Sequence, residues 1–119
     1  MEISFINENN PKIALLESET LLINTTDDAF DIMINCRYQD ADAVILYAKN
    51  IHPLFFDLRT GMAGEILQKF TTYGVRLAIV GHFEQYESKS LTDFIYESNK
   101  RKFINFVSTT DEALKVLIQ

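Results

Sequence analysis

Three short apolar runs, separated by segments of helical periodicity, restrict the fold of this chain more than any other feature of its sequence. The runs cover residues 43–48, 75–80 and 103–107. Their length and β-branched content predict strands that are buried on both faces of a sheet. Because strands joined through helices pair in parallel with right-handed crossovers, we predict an α/β fold whose central strands are parallel.

The N-terminal residues predict a different kind of strand pairing. Glu2–Asn7 and residues 12–16 have strand character and flank the turn signal Asn9-Asn10-Pro11, which predicts an antiparallel hairpin. The apolar residues 21–23 are either a third strand or an extended lead-in to the first helix. The sheet is therefore expected to be mixed at its N-terminal edge and parallel in its middle.

Capping residues mark where the predicted helices begin. One of the two threonines at 25–26 is expected to cap the first helix. Ser90 is expected to begin the third helix, with Asp93 in the position of a capping-box acid, and Thr109 with Glu112 forms a capping box for the last. The predicted core includes seven apolar side chains, namely Ile45, Leu67, Phe70, Ile79, Phe94, Phe106 and Leu114.

Length and composition indicate one ordinary globular domain spanning residues 1–119. The chain is long enough for one such domain and too short for two, and its 47% hydrophobic and 24% charged residues are the usual globular mixture. The formal net charge of -6 argues against broad binding to a phosphate backbone. The one basic run, at 100–102, is expected to be a solvated turn, so no nucleic-acid partner is predicted.

The remaining signals in the sequence favour a cytoplasmic protein. Cys36, the single cysteine, lies on the apolar stripe of a predicted helix and is expected to be buried rather than reactive. No apolar run approaches the roughly 20 residues that span a bilayer, and the N-terminal residues carry no secretion signal. We therefore expect no membrane partner.

No residue pattern of a known catalytic mechanism is present. The stretch at 61–65 contains two glycines but lacks the Gly-Lys-Ser/Thr ending of a phosphate-binding loop. The two histidines lie 30 positions apart, and no His-x-x-x-His or Cys-x-x-Cys pair occurs, so neither a metal nor a cofactor is expected. An enzyme that uses His82, Asp57 and Glu65 remains a weaker alternative.

The expected position of a binding surface is the carboxyl edge of the parallel strands, where ligands gather in open α/β sheets. The segments leaving that edge cover residues 49–57, 81–86 and 108–109. Thr60 is predicted to cap the helix that follows it; the alternatives are an anion at this helix start or phosphorylation of Thr60. The candidate surface comprises Asp57, Arg59, Thr60, Gly61, Gly64 and His82.

Three stretches resemble a bacterial family catalogued only as domain of unknown function 4180. They cover residues 56–70, 77–81 and 88–99, and the resemblance extends over most of the chain. The resemblance implies no particular activity. Where it leads us to expect an acid after Val80 and Gly81, this chain has His82.

The order of elements also resembles the domain shared by sulfate transporters and anti-sigma factor antagonists (the STAS fold). In those antagonists a strand leads to Asp-Ser-Ser-Gly at a helix start, and a partner kinase phosphorylates the first serine. The stretch here, Asp57-Leu58-Arg59-Thr60-Gly61, is one residue longer, and Thr60 aligns with the second serine. The resemblance implies a STAS-like fold and a partner-binding role more than the phosphorylation switch.

These observations lead to two main hypotheses about function. The first is a non-catalytic regulatory or protein-interaction module whose partner is another protein. A homodimer is compatible with this hypothesis. The second is a sensor that binds a small ligand or anion at the carboxyl ends of the strands. A flat surface around Thr60 and Gly61 would favour the first, whereas a pocket containing acids of perturbed pKa would favour the enzymatic alternative.

Overall fold

The sheet of this protein begins as a hairpin and continues as parallel strands. The computed structural model describes residues 1–119 and contains five strands, namely β1 (Glu2–Asn7), β2 (Ile13–Glu17), β3 (Ala43–Tyr47), β4 (Arg76–Val80) and β5 (Ile104–Val107). Their order across the sheet is their order along the chain. β1 pairs with β2 antiparallel, and every later pair is parallel. The predicted mixed α/β sheet is confirmed.

The four helices lie in two unequal layers. They are α1 (Thr26–Tyr38), α2 (Met62–Thr72), α3 (Lys89–Arg101) and α4 (Thr110–Ile118). Each of the first three connects two adjacent parallel strands, and a single crossover hand therefore places all three on one face of the sheet. α4 follows the last strand and packs on the other face, against β3, β4 and β5. None of the helices is both long and apolar enough to cross a membrane.

Both faces of the sheet are buried, as the continuous apolar runs predict. Alternate residues of β3 point to opposite sides: Val44 and Leu46 join the large cluster under α1, α2 and α3, whereas Ala43 and Ile45 join the smaller cluster under α4. Five of the predicted core side chains are buried, namely Ile45, Leu67, Phe70, Ile79 and Phe106. Phe94 and Leu114 are only half-buried, because each packs from a helix at the margin of its cluster.

Two predicted helix starts are confirmed in their capping contacts. The Thr25 hydroxyl accepts the backbone N–H of Asp28, and the Asp28 carboxylate in turn accepts the Thr25 N–H, which completes a capping box. At α4 the Thr109 hydroxyl accepts the N–H of Glu112 at 3.1 Å. The Glu112 carboxylate accepts the N–H of Ser108 rather than that of Thr109, so Thr109 caps α4 as predicted but the predicted capping box is incomplete.

α3 begins earlier than its sequence predicts. The capping residue is Ser88, whose hydroxyl accepts the N–H of Leu91 at 3.2 Å, and Ser90 is already inside the helix. Asp93 therefore makes no capping box and instead pairs with the Lys89 ammonium one turn earlier, at 2.8 Å. Two serines of equal capping propensity stand two residues apart, and the path of the preceding loop decides between them.

The segment that precedes α1 is an extended lead-in rather than a third strand. Ile23 forms an isolated parallel bridge with Ile51. The backbone N–H groups of Leu22 and Ile23 both donate to the carbonyl of Asn50, at 2.8 and 3.1 Å. The segment is thereby fixed against the chain that leaves β3.

One arginine links the amino ends of the parallel strands to the ends of two helices. Arg76, the first residue of β4, donates to the carbonyls of Val116 and Leu117 in the last turn of α4 and to that of Lys102 at the end of α3. A cation at two helix ends satisfies carbonyls that have no partner within the helix and complements the helix dipoles. These contacts tie the amino end of β4 to the ends of α3 and α4.

The two outer strands of the sheet, β1 and β5, differ in whether their outward-facing backbone groups are hydrogen-bonded. On β5, the side-chain amide of Asn99 in α3 accepts the N–H of Phe106 at 2.7 Å and donates to its carbonyl at 3.1 Å. These two bonds occupy the groups with which another strand would pair. β1 has β2 as its one neighbour and carries no equivalent clamp.

We predict that Cys36 makes the protein less stable at high pH. Burial raises the pKa of this thiol from 9.0 to about 11. Below pH 9 the thiol is protonated in both states, and between pH 9 and about 11 the unfolded chain loses its proton first. Stability should therefore fall by about 2–3 kcal/mol across this window. Urea unfolding at pH 8.5 and pH 10.5 should show a larger loss for the parent than for Cys36→Ala; equal losses would contradict the prediction.

Candidate functional site

A concavity of the protein, here called the strand-end cleft, lies at the carboxyl ends of the parallel strands. It has a volume of about 500 Å³, which is within the usual range for small-molecule sites. The segments that follow β3, β4 and β5 form its floor and sides. Its lining residues are Leu21, Tyr47, Ala48, Lys49, Ile51, Pro53, Val80, Gly81, His82, Gln85, Tyr86 and Ser108.

The topology explains why a cleft opens at this place. The chain leaves β4 toward α3 on one face of the sheet and leaves β5 toward α4 on the opposite face. Connections that diverge in this way leave a crevice beyond the strand ends. The hydroxyl of Tyr47, at the end of β3, lies 3.1 Å from that of Thr110. This hydrogen bond links the end of β3 to the start of α4 at one side of the crevice.

Gly81 allows the strand ends beneath the cleft to pack closely. A β-carbon on this residue would lie 2.7 Å from the β-carbon of Ala48 and 3.2 Å from the ring of Phe83. Both distances are shorter than normal van der Waals contacts. Only glycine therefore lets the chains leaving β3 and β4 approach as they do.

Gly81→Ala should destabilise the protein by about 1–3 kcal/mol, as overpacking does. Ala48→Gly in the same chain removes the closest contact and should restore part of the loss, although Ala48→Gly alone is expected to be mildly destabilising. Denaturant midpoints of the two single variants and the double variant measure the coupling. Additive effects of the two substitutions would show that the Gly81–Ala48 contact does not set the packing.

One wall of the cleft depends on a buried asparagine that the sequence did not single out. Asn50 is only 1% exposed. Its side-chain nitrogen donates to the carbonyls of Ser18 and Thr20, at 2.8 and 2.9 Å, and its side-chain oxygen has no partner in the chain. Together with its backbone carbonyl, it holds the segment that carries Leu21 over the cleft.

Stacked aromatic rings form a second wall. The ring of Tyr86 lies parallel to that of Phe56, 5.2 Å away, and Phe56 also contacts Phe83. Phe83 in turn meets Phe106 of β5 edge-on at 5.3 Å. Phe83 and Tyr86 are thus half-buried against the large cluster, whereas Tyr96 is exposed.

Tyr86 presents a free hydroxyl to the cleft. Burial of its ring raises the pKa of Tyr86, so the phenol is a hydrogen-bond donor at neutral pH. Its hydroxyl makes no hydrogen bond within the chain, whereas that of Tyr47 is held by Thr110. The cleft therefore offers one fixed aromatic wall with an available polar group.

The ionisable side chains with basic character in the cleft are Lys49 and His82. Lys49 is exposed, makes no ion pair and places its ammonium 5.7 Å from the ring centre of Tyr47. His82 lies 3.9 Å from the carboxylate of Glu84, and both side chains are about four-fifths exposed. No Asp or Glu lines the cleft.

The predicted surface around Thr60 is ordered by its own local contacts. The Arg59 guanidinium makes two hydrogen bonds to the Asp57 carboxylate, at 3.0 and 2.9 Å. These bonds hold the pKa of the Asp57 carboxyl below its usual value. Both side chains are at the surface, so Asp57 and Arg59 present a neutral pair rather than a free cation.

The N-cap of α2 is Gly61, and the prediction of Thr60 in that position is wrong by one residue. Gly61 has a φ of +78°, a left-handed conformation that glycine adopts without strain. The Thr60 hydroxyl donates to the carbonyls of Leu54 and Asp57 and accepts the N–H of Met62. Its expected role of satisfying an early helix N–H is therefore confirmed.

The structure separates the residues of the predicted site. His82 lines the strand-end cleft; Asp57, Arg59, Thr60, Gly61 and Gly64 do not. Glu65, named for the enzymatic alternative, accepts a hydrogen bond from the Thr26 hydroxyl at 2.9 Å. The three residues of that alternative therefore do not line one cleft.

Sequence comparison identifies a family but no characterised relative. The model of the family described as a domain of unknown function (DUF4180) matches residues 8–117. No curated protein and no solved structure matches the chain. Within the structure, no three His, Cys, Asp or Glu side chains are grouped as a metal ion would require.

Proposed function

Because the chain belongs to the family described as domain of unknown function 4180, whose description assigns no activity, we propose from the geometry alone that it is a non-catalytic binding module that takes a small molecule in the strand-end cleft. The observation that carries this proposal is the position of the cleft. It lies at the carboxyl edge of three parallel strands, between connections that diverge to opposite faces. This is where open α/β sheets bind their ligands.

The lining of the cleft supports binding rather than catalysis. Apolar side chains and two tyrosines provide a surface for a ligand body, while Gln85, Ser108 and the Tyr86 hydroxyl provide polar groups for orientation. His82 and Glu84 are the nearest acid–base pair, and both are solvated. No nucleophile held by a neighbouring base faces the cleft, so no acyl or phosphoryl transfer follows from this geometry.

The test is mapping by amide chemical shifts with a panel of benzyl alcohol, benzylamine, benzoate and acetate. At least one compound should shift amide resonances of residues 47–51, 80–86 and 108. Gln85→Trp, which places a large side chain in the cleft, should remove these shifts. Ser90→Trp, on the exposed first turn of α3, should keep them.

Two results would contradict the proposal. In the first, none of the four compounds perturbs the cleft at concentrations up to about 20 mM, although fragments of this size bind in the millimolar range. In the second, the perturbations persist in Gln85→Trp. Thermal unfolding of both variants establishes that each is folded before the comparison is made.

A second candidate function, protein–protein regulation through the segment from Asp57 to Gly64, has its own support. A β-carbon on Gly64 would have no atom within 4 Å, so the exposed start of α2 is open to close approach by another surface. The Asp57–Arg59 pair and Gly61 fix the backbone beside it. This is the partner-binding role that the STAS-like order of elements implies, with phosphorylation of Thr60 as a proposed means of control.

The second candidate is tested with a side chain that fills the open space. Gly64→Gln should fold at least as stably as the parent, since glutamine favours helix more than glycine does. It should nevertheless weaken binding to any protein that co-purifies with the parent and binds it directly in purified form. Ser90→Gln, also on an exposed helical turn, is the matched control. Unchanged affinity in Gly64→Gln would exclude this surface.

A further inference from the structure

We propose that the ligand of the strand-end cleft is a small monoanion with a flat apolar body, of the chemical class of an aromatic carboxylate. This inference rests on the proposed function of the cleft and assigns the charge and shape of what it binds. Lys49 and His82 would face the anionic group. The tyrosine-lined wall would face the flat body.

The charge of the cleft is opposite to that of the protein. The chain has 17 Asp and Glu residues against 11 Lys and Arg, yet the twelve lining residues include Lys49 and His82 and no acid. Lys49 is the lining side chain that carries a formal charge at neutral pH, and a cation in a cleft concentrates its field on a ligand inside it. An anion is therefore favoured over a neutral or cationic molecule of the same shape.

Lys49 has no ionic partner of its own. Its ammonium is within 4 Å of no carboxylate, whereas the exposed Lys89 and Lys100 are each paired with an acid on the same helix. It lies near the face of Tyr47, which also lines the cleft. An incoming anion would therefore displace water but would break no ion pair.

The shape of the cleft favours a flat body. Tyr86 is held against Phe56 with only 19° between the ring planes, so its orientation is fixed by packing before any ligand arrives. Ile51, Pro53 and Val80 supply apolar surface around it. A planar ring can stack or pack edge-on against such a wall, and a pre-ordered wall lowers the entropic cost of binding.

A neighbouring groove limits the charge of the ligand to one anionic group. This groove is lined by Glu2, Glu17 and Glu19 and shares Tyr47 and Lys49 with the cleft. A polyphosphate or a nucleotide long enough to pass Lys49 would bring further negative charge toward these carboxylates. A single carboxylate that ends at Lys49 avoids that repulsion.

The experiment compares affinities among compounds that differ in one property. Benzoate should bind at least about fivefold more tightly than benzyl alcohol, which lacks the charge, and than acetate, which lacks the ring. Benzylamine, with the opposite charge, should bind most weakly. Adenosine triphosphate should bind less tightly than benzoate. Each dissociation constant is obtained from the amide shifts of residues 47–51, 80–86 and 108 at fixed ionic strength.

Lys49 is tested with a charge-removing and a charge-keeping variant. Lys49→Met should weaken benzoate by about tenfold, the scale of a hydrogen bond to a charged group, and should leave benzyl alcohol unchanged. Lys49→Arg should keep most of the affinity for benzoate. Lys115→Met, which removes an equal charge from the exposed face of α4, should bind like the parent.

The outcomes separate this inference from the function on which it rests. If benzyl alcohol or benzylamine binds in the cleft as tightly as benzoate, or if Lys49→Met and Lys115→Met bind benzoate equally, the anionic class is wrong and the binding function stands. If no compound perturbs the cleft, both fail. Tighter binding of adenosine triphosphate would overturn the restriction to a monoanion.

Discussion

Asn50→Asp is expected to destabilise the protein by about 3–5 kcal/mol at neutral pH, the scale seen when a buried charge is left without a partner. The Asn50 side chain now donates two hydrogen bonds to the carbonyls of Ser18 and Thr20. A carboxylate in its place has no proton to donate and brings its negative charge against two carbonyl oxygens. The free energy of unfolding from urea titrations measures the loss.

Two comparisons make the Asn50 prediction specific. Asn50→Ala removes the same hydrogen bonds without adding a charge and should cost less, about 1–3 kcal/mol. Asn35→Asp, on the exposed face of α1, makes the same chemical change in water and should lie within about 0.5 kcal/mol of the parent. Equal losses in Asn50→Asp and Asn35→Asp would show that burial of Asn50 has no energetic weight.

Asn50→Asp should also loosen one wall of the strand-end cleft. The N–H groups of Leu22 and Ile23 donate to the backbone carbonyl of Asn50, so a displaced Asn50 leaves them open to water. Hydrogen exchange at these two amides should accelerate more in Asn50→Asp than exchange in β4 does. A uniform acceleration would indicate global unfolding instead of local release of the lead-in to α1.

Phe70→Ala should lower the free energy of unfolding by about 3–5 kcal/mol. Phe70 is completely buried on the inner face of α2 and belongs to the large cluster beneath α1, α2 and α3. Truncation removes a ring from a position that three elements surround, and the rigid sheet beneath it limits how far the cavity can collapse. Chemical denaturation with an unchanged slope would assign the loss to stability alone.

Tyr38→Ala is the control for the loss of an aromatic ring. Tyr38 is 87% exposed at the end of α1, so its removal should change stability by no more than about 0.5 kcal/mol. If the denaturation midpoint of Phe70→Ala lies as close to that of the parent as the midpoint of Tyr38→Ala does, the assignment of Phe70 to the core is wrong.

Sequence reasoning predicted the fold well where the signal is local and repeated. An apolar run bounded by helical periodicity is enough to place β3, β4 and β5, since burial on both faces leaves no polar positions in such strands. Local competition between equivalent residues was harder to resolve. Ser88 rather than Ser90 caps α3, and Gly61 rather than Thr60 caps α2, because the path of the preceding loop selects among neighbours with similar propensities.

Of the candidate surface residues named from the sequence, only His82 lines the strand-end cleft. The rule that ligands bind beyond the carboxyl ends of parallel strands pointed to the segments that line the cleft. Which side chains face it depends on contacts between residues distant in sequence, such as the hold of Asn50 on Ser18, 32 positions away. A single asparagine between Lys49 and Ile51 carries no sequence signal that distinguishes it from an ordinary loop residue.

The two outer strands of the sheet are not equally open to pairing with a strand of another chain. A sheet with two open edges can add copies without end, because each added strand exposes a new acceptor. Here the Asn99 amide occupies both backbone groups of Phe106 in the middle of β5, and only β1 retains an unpaired side. A strand of another chain that paired with β5 at Phe106 would first have to break both of these hydrogen bonds, whereas pairing along the open side of β1 would not.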